Sequence, residues 1–409
     1  MNILIVSQYF WPENFRINDM ALALKERGHQ VTVLTGMPNY PAGRFFDGYG
    51  WFSRRRETWQ GVEIHRCPLI PRGKGGGLRL ALNYVSFALS ASLLGPWKCP
   101  EKFDAIFVHE PSPITVTLPA LVLRRLRGIP VLLWVLDLWP ESVAAAGSVR
   151  SPFVLGLISR LVRFIYRHCD RVLVQSRGFI DRVIAQGASA DKVLYFPSWA
   201  EALFTRTINT PLSIPLPPGF RIVFAGNVGA AQDFEAILDA AELLREEKDI
   251  HWVVVGDGRM AGGVKQQVRA RKLTDTVHLT GSYPLETMPP LFAAADALLV
   301  TLKRDPIFAL TIPGKIQSYL ACGRPIVGML DGEGASVLRE SGAAMVGPSG
   351  DAQTLAANVL ALYRMRREER ERMGQSGHEY YRQHFERDRL MTQLEQWFEQ
   401  ARRDKETSP

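Results

Sequence analysis

Residues 103–141 read FDAIFVHEPSPITVTLPALVLRRLRGIPVLLWVLDLWPE, and the fold turns on this stretch. Two apolar runs flank LPALVLRRLRG, a segment with helical spacing that closes on Gly128. The runs are nearly continuous in Leu, Ile and Val instead of alternating with polar residues. That is the pattern of strands buried on both faces of a parallel sheet covered by helices.

The same pattern extends outward. Upstream, MNILIVSQYF is a short apolar run ending in a polar loop, and NDMALALKERGHQVTVLTG continues as helix, glycine stop and a second strand from Val31 to Leu34. Downstream, RVLVQS (171–176) and KVLYFPSW (192–199) extend the sheet. TRTINTPLSIPLPPGF (205–220) is rich in proline, has no period and reads as a linker. The alternation then restarts with FRIVFAGNVG, DIHWVVVGDG, TVHLTGS, DALLVTL and RPIVGM, and charged helices from 351 and over 387–403 close the chain. The expected class is α/β: two Rossmann-like, doubly wound parallel-sheet domains with a cleft between them. Expected bounds are 1–200, a linker over 201–218, and 219–384, with a helix over 385–403 packing back on the first domain.

Bulk properties agree. At 409 residues the chain is too long for one ordinary core. Hydrophobic residues at 46% and charged residues at 22% exclude global disorder. A net charge of +8 favours phosphorylated ligands, an anionic membrane or nucleic acid without choosing among them. The four cysteines form no C-x-x-C pair, and the opening residues have no charged n-region and no small-residue cleavage site. A reduced, cytoplasmic protein without zinc or disulfides is expected.

Ligands of open α/β sheets bind at the carboxyl ends of the strands, so the strand-end loops are the places to search. GDGRMA at Gly256 matches G-x-G-x-x-A, but the next strand ends in Thr280, Gly281 and Ser282, with no acidic residue to hold a dinucleotide ribose. It reads as a strand-to-helix turn. AGNVGAAQD leaves the backbone N–H groups of Gly226 and Asn227 free. RDPIFALTIPGKIQSYLACGRPIVG (304–328) is read as an apolar extended run followed at once by a helix, with Pro313, Gly314 and Lys315 at its start; such a start suits an anion. It is not a P-loop, since Ile316 follows the lysine. In the first domain, HEPSP and LDLWPE offer His109, Glu110, Asp137 and Glu141 as ionisable candidates. YFWPENFRIND, after the first strand, carries Glu13, Asn14, Arg16 and Asn18.

Two segments bear on membranes. Residues 80–97 carry no charge, with Arg72, Lys74 and Arg79 before them and Lys98 after. The length is at the lower end of a span, and Asn83 and several serines dilute it, so a buried or interfacial helix is expected. FVLGLISRLVRFIYRH places Arg160, Arg163 and Arg167 on one helical face beside an apolar one. An anionic membrane surface is the expected partner. Nucleic acid is not, because the basic residues are dispersed.

Taken together, QYFWPENFRINDMALALKERGHQVTVLTGMPNYP, DLWPE, FAGNVG, VVVGDGR, DALLVTL and TIPGKIQSYLACGRPIVG resemble the GT-B glycosyltransferases, in particular retaining family 4. The resemblance covers nearly the whole length and is nearest the branch that builds bacterial surface polysaccharides, including L-fucosamine transferases of O-antigen assembly. It implies a nucleotide-diphosphate sugar, UDP-linked, on the second domain. Thr311, Ile312, Pro313, Gly314 and Lys315 would receive the diphosphate, with Gly226, Asn227 and Gly256 near the phosphates. Thr280 and Tyr283 would border the base, and Ser318 the ribose. On the first domain it implies Asp137, His109 and Glu110 orienting the reacting groups, and Glu13, Trp139 and Glu141 on the acceptor side.

The chain also departs from the family pattern. The usual glutamate pair falls on Leu310 and Ser318, and the usual Arg and Lys after the first strand of the second domain fall near Asn227 and Gln232. The glycine pair of the first loop is replaced by Asn14 and Phe15, and the strand-end histidine of many members corresponds to Asp137. Lys315, Lys303 and Arg16 are left to meet the diphosphate charge. With no D-x-D present, neither metal nor cofactor is expected. The implied acceptor is a polyprenyl-diphosphate-linked saccharide at the inner membrane face. Two alternatives stand beside this reading: a nucleotide-sugar 2-epimerase of the same architecture, and a non-enzymatic membrane-associated binding protein.

Overall fold

The computed structural model describes residues 1–73, 76–145, 149, 151–205, 212 and 214–407. Lys74 and most of the proline-rich segment, 206–211 and 213, lie outside the described residues. The chain divides into two compact units, Met1–Pro197 with Asp388–Pro409, and Ser198–Arg387.

The first unit holds β1 (Asn2–Ser7), β2 (Gln30–Gly36), β3 (Arg56–Trp59), β4 (Val62–Cys67), β5 (Ala105–Glu110), β6 (Val131–Val135), β7 (Arg171–Val174) and β8 (Val193–Tyr195). They form one sheet in the order β3-β4-β2-β1-β5-β6-β7-β8, parallel except for the β3–β4 pair. The opening stretch supplies β5 and β6, which are buried at every residue, as strands covered on both faces must be. Its helices are α1 (Arg16–Glu26), α2 (Gly77–Lys98), α3 (Leu118–Arg127), α4 (Glu141–Ala145), α5 (Pro152–His168) and α6 (Ile180–Ala185). Gly128 ends α3 in the left-handed region at φ 72°.

The β3–β4 hairpin escapes the sequence reading. Its strands RETW and VEIHRC are short and charged, and their turn, Gln60 and Gly61, takes positive φ at both positions.

The second unit holds β9 (Phe220–Ala225), β10 (Ile250–Val255), β11 (Val277–Gly281), β12 (Ala297–Thr301), β13 (Ile326–Met329) and β14 (Ala344–Gly347), all parallel in the order β11-β10-β9-β12-β13-β14. Its helices are α7 (Phe234–Leu243), α8 (Ala261–Ala270), α9 (Met288–Ala293), α10 (Pro306–Ala309), α11 (Lys315–Ala321), α12 (Gly332–Glu340), α13 (Ala352–Arg364) and α14 (Arg367–His384). Two expectations are corrected here. The run after Arg304 is not extended: Asp305 accepts from the Ile307 N–H and Pro306 opens a turn of helix, an N-cap and first-turn proline that outweigh the apolar run. The expected linker over 201–218 is partly core, since Phe204 and Ile214 are buried and Phe204 stacks on Phe292 at 5.7 Å.

The last helix, α15 (Arg387–Thr407), closes the first unit. Leu390, Met391, Leu394, Phe398 and Ala401 form its buried stripe. Phe398 meets Phe107 edge-on at 6.2 Å, and Glu395 pairs with Arg27 at 2.7 Å and His29 at 2.8 Å.

Helix α2 is long and apolar enough to cross a membrane, yet it is fastened to the first unit. Gln8 Nε2 donates to Asn83 Oδ1 at 2.7 Å, and Asn83 Nδ2 donates to the Ile70 carbonyl at 2.7 Å. Asn83, Phe87, Ala88, Ala91 and Gly95 are buried. The other face leaves Leu78, Leu82, Val85, Leu89, Leu93 and Trp97 in solvent, with exposures of 78% at Leu78, 71% at Leu93 and 84% at Trp97.

Candidate active site

In the second unit, Gly226 and Gly256 directly follow β9 and β10 and Gly281 ends β11, with φ of 141°, 146° and 81°. The Gly226 N–H donates to the Val255 carbonyl at 2.9 Å, which corrects the expectation that it is free, and the Gly256 N–H donates to the Gly281 carbonyl at 2.8 Å. A Cβ on Gly256 would collide with the Gly226 carbonyl. Two strand-end turns touching backbone to backbone therefore account for the G-x-G at 256.

Lys315 opens α11 and reaches back under that loop. Its Nζ lies beside Gly226 and 3.6 Å above the centre of the Phe224 ring, buried and without a hydrogen-bond partner. Burial lowers its pKa from 10.5 to about 7. A buried ammonium with only an aromatic face for company is poorly compensated, and an arriving anion would supply the missing charge. Tyr319, one turn on, ties α11 to the strand end, because the Ala225 N–H donates to its hydroxyl at 3.0 Å. The sequence reading missed both Phe224 and Tyr319. Neither carries a local signal, since their partners are far away along the chain.

The other donor-side candidates divide. Gly226 and Asn227 are exposed on the loop, and Gly314 is exposed before Lys315. Lys303 is exposed, its N–H donates to the Ala231 carbonyl at 2.8 Å, and it lines a cavity of about 510 Å³ with Gly229 and Ala230. Thr280 donates to the Val254 carbonyl at 3.3 Å, and Tyr283 is half-buried against the core. Pro313 is half-buried and Ser318 buried. One expectation is corrected: the Thr311 N–H donates to the Phe308 carbonyl at 3.1 Å and its hydroxyl to the Ile307 carbonyl at 3.1 Å, closing α10 instead of facing a ligand. The Ile312 side chain packs in the core.

In the first unit, His109 and Glu110 are fully buried at the end of β5. His109 Nδ1 lies 3.0 Å from Ser7 Oγ between the rings of Trp134 and Phe15, and burial lowers its pKa to about 3, so the imidazole stays neutral. Burial, and next the charge of Asp137, push Glu110 well above the usual carboxylate range. The two are core groups behind the strand end rather than groups at its surface, and this corrects the expectation that they orient substrate directly. Asp137 is half-buried. Burial raises its pKa, and the facing polar groups of Ser142, Trp139 and Ser112 lower it again in part.

Ser112 holds a positive φ of 136°, a sparsely populated conformation for a residue with a side chain. Trp139 meets Tyr84 of α2 at 6.2 Å, and Glu141 accepts from Gln186 at 3.4 Å. Tyr84 was legible only as a polar ring in an apolar helix.

Glu13 requires a further correction. Its carboxylate accepts from the N–H groups of Asn39 and Tyr40 at 2.7 Å and Phe10 at 3.3 Å. It ties the loop after β1 together and leaves no oxygen turned to an acceptor. Burial raises its pKa to about 7 against the pull of these amides. Asn14 is exposed on the same loop, and Arg16, half-buried, begins α1. Among the described residues no group of three or more His, Cys, Asp or Glu could hold a metal ion.

Residues 14–199 match the glycosyl transferase 4-like domain, and residues 219–365 match glycosyl transferases group 1. The putative colanic acid biosynthesis glycosyl transferase WcaI of Escherichia coli is 26% identical over 341 residues, covering 79% of this chain and 82% of its own. The probable glycosyltransferase WbjE of Pseudomonas aeruginosa is 29% identical over 255 residues, covering 60% of this chain and 62% of its own. Among solved structures, Anabaena Alr3699/HepE in complex with UDP superposes with a TM-score of 0.69 at 12% identity, over 98% of this chain and 100% of that one. Two parallel-sheet α/β units, the two domain matches and these relatives together place the chain in the GT-B glycosyltransferases of the family 4 type.

Proposed function

We propose that the protein transfers a sugar, of the N-acetylfucosamine kind, from a UDP-linked donor to a lipid-linked saccharide in bacterial surface polysaccharide assembly, with the anomeric configuration retained. The observation that carries this reading is Lys315, a buried amine without a partner beneath the Gly226–Asn227 loop. It supports diphosphate binding where the usual arginine and lysine of the family are replaced by Asn227 and Gln232. The HepE complex, which holds UDP, supports the choice of nucleotide, and the colanic acid biosynthesis named for WcaI supports the polysaccharide role. The two glycosyl transferase domain matches and the glycosyltransferase relatives favour sugar transfer over the epimerase and non-enzymatic alternatives.

In the proposed reaction the bond between the anomeric carbon and the diphosphate oxygen breaks as the acceptor oxygen bonds the same face of that carbon. The departing phosphate takes the acceptor's proton. Lys315, the amide of Asn227 and the exposed Lys303 stabilise the charge that develops on the diphosphate, which is where catalysis of this step is most effective. Asp137 orients the acceptor hydroxyl.

A location at the cytoplasmic face of the membrane is supported by the apolar stripe of α2, with Arg79 and Lys98 near its ends, and by Arg160, Arg163 and Arg167 on α5.

Thermal-shift binding of UDP, GDP, ADP and dTDP to wild type and Lys315→Ala tests the donor site. Stabilisation by UDP that is lost in the variant is expected. Stabilisation indifferent to Lys315 would overturn the assignment.

A further inference from the structure

Helices α2 and α5 begin beside the loops that follow β5 and β6, and between them lies an open cavity of about 360 Å³. Its walls are Leu80 and Ala81 of α2, Val143 of α4, and Val154 and Ile158 of α5. Asp137, Ser112, Ser142, Trp139 and Tyr84 line it as well, with the polar groups of Ser142, Trp139 and Ser112 turned to the Asp137 carboxyl. We infer that this cavity receives the isoprenoid chain next to the diphosphate of the lipid-linked acceptor, with the polar end of that lipid turned toward Tyr84 and Asp137. The inference rests on the transferase reading and gives its acceptor a binding site.

The wall chemistry selects the occupant. A saccharide placed against these side chains would lose its water without gaining hydrogen bonds, whereas hydrocarbon loses nothing. The volume lies toward the lower end of the roughly 300–1,000 Å³ typical of ligand pockets, enough for a short length of branched chain.

The surroundings point the same way. Leu78, Phe153 and Leu157 adjoin the wall residues in sequence and stay exposed, Phe153 at 74%. The cavity thus lies on helices whose outer surfaces are themselves apolar. The Arg72 guanidinium, 4.9 Å over the Tyr40 ring, lowers the pKa of the Tyr84 hydroxyl against the burial that raises it.

Farnesyl diphosphate, titrated calorimetrically below its aggregation concentration, is the probe, with dodecyl phosphate and inorganic diphosphate as comparisons. Ala81→Trp fills the cavity, and Val154→Asp places a charge on its exposed wall. Both should weaken farnesyl diphosphate at least about tenfold, and inorganic diphosphate should not displace it. Leu126→Glu, at an exposed apolar position on α3 outside the cavity, should leave the affinity unchanged. Undiminished binding in both cavity variants, or equal loss in Leu126→Glu, overturns the cavity assignment. Equal affinity for dodecyl phosphate overturns the isoprenoid assignment.

UDP stabilisation is measured on the same samples. If it is retained in Ala81→Trp while farnesyl diphosphate binding is lost, the cavity is separate from the donor site, as inferred. If it is missing from wild type, the donor reading fails, and the cavity result still decides the inference.

Discussion

Lys315 sets the pH behaviour of the site. Its folded pKa of about 7 lies below the ordinary 10.5, so the folded protein below pH 7 bears the full cost of a buried charge. Between pH 7 and 10.5 the unfolded chain holds a proton that the folded chain does not, and stability rises with pH across that window. Lys315→Met should therefore raise the melting temperature most below pH 7, with the gain shrinking toward pH 10; a gain independent of pH would contradict the assignment. On the proposed donor site, binding a diphosphate would restore the ammonium and take up a proton. Calorimetry should show UDP weakening by up to about tenfold per pH unit above 7, with the slope abolished in the methionine variant. Gly256 makes a purely steric prediction. Its φ of 146° and the carbonyl of Gly226 leave no room for a methyl group, so Gly256→Ala should cost about 2 kcal/mol or more in urea unfolding.

At the scale of elements, α2 joins two demands on one helix. Asn83 fastens it, and replacing that residue by Leu leaves the Gln8 amide and the Ile70 carbonyl without partners, an expected loss of about 1–3 kcal/mol measured by denaturant titration. The exposed stripe is separable from this. The double variant Leu89→Glu with Leu93→Glu should keep the wild-type melting temperature within a few degrees, because both positions are in solvent, yet lose flotation with anionic vesicles. Vesicle binding that survives would leave the stripe without its proposed role. The β3–β4 hairpin and α10 are elements whose signals were present but weak. A Gln-Gly turn between charged strands and an Asp-Pro cap before an apolar run both lose to stronger neighbouring patterns when periodicity alone is followed.

At the scale of the whole molecule, the C-terminal helix belongs to the unit that begins the chain. Deleting residues 388–409 removes Glu395 from Arg27 and His29 and bares the Phe107 face. Differential scanning calorimetry should show the first unit's transition lowered by more than about 4 °C, with the second unit's transition, and the UDP response proposed for it, kept. The two-unit α/β architecture, the parallel strands and the strand-end loops were determined by the sequence alone. Apolar runs, glycine stops and helical spacing are local and repeat along the chain. Only the tertiary structure decided which loop residues face solvent, which carboxylates are consumed by backbone amides, that Lys315 lies against Phe224, and that α2 keeps an apolar face in solvent beside an apolar cavity. Those outcomes depend on residues far apart in sequence that packing brings within a few ångströms, and no local pattern records them.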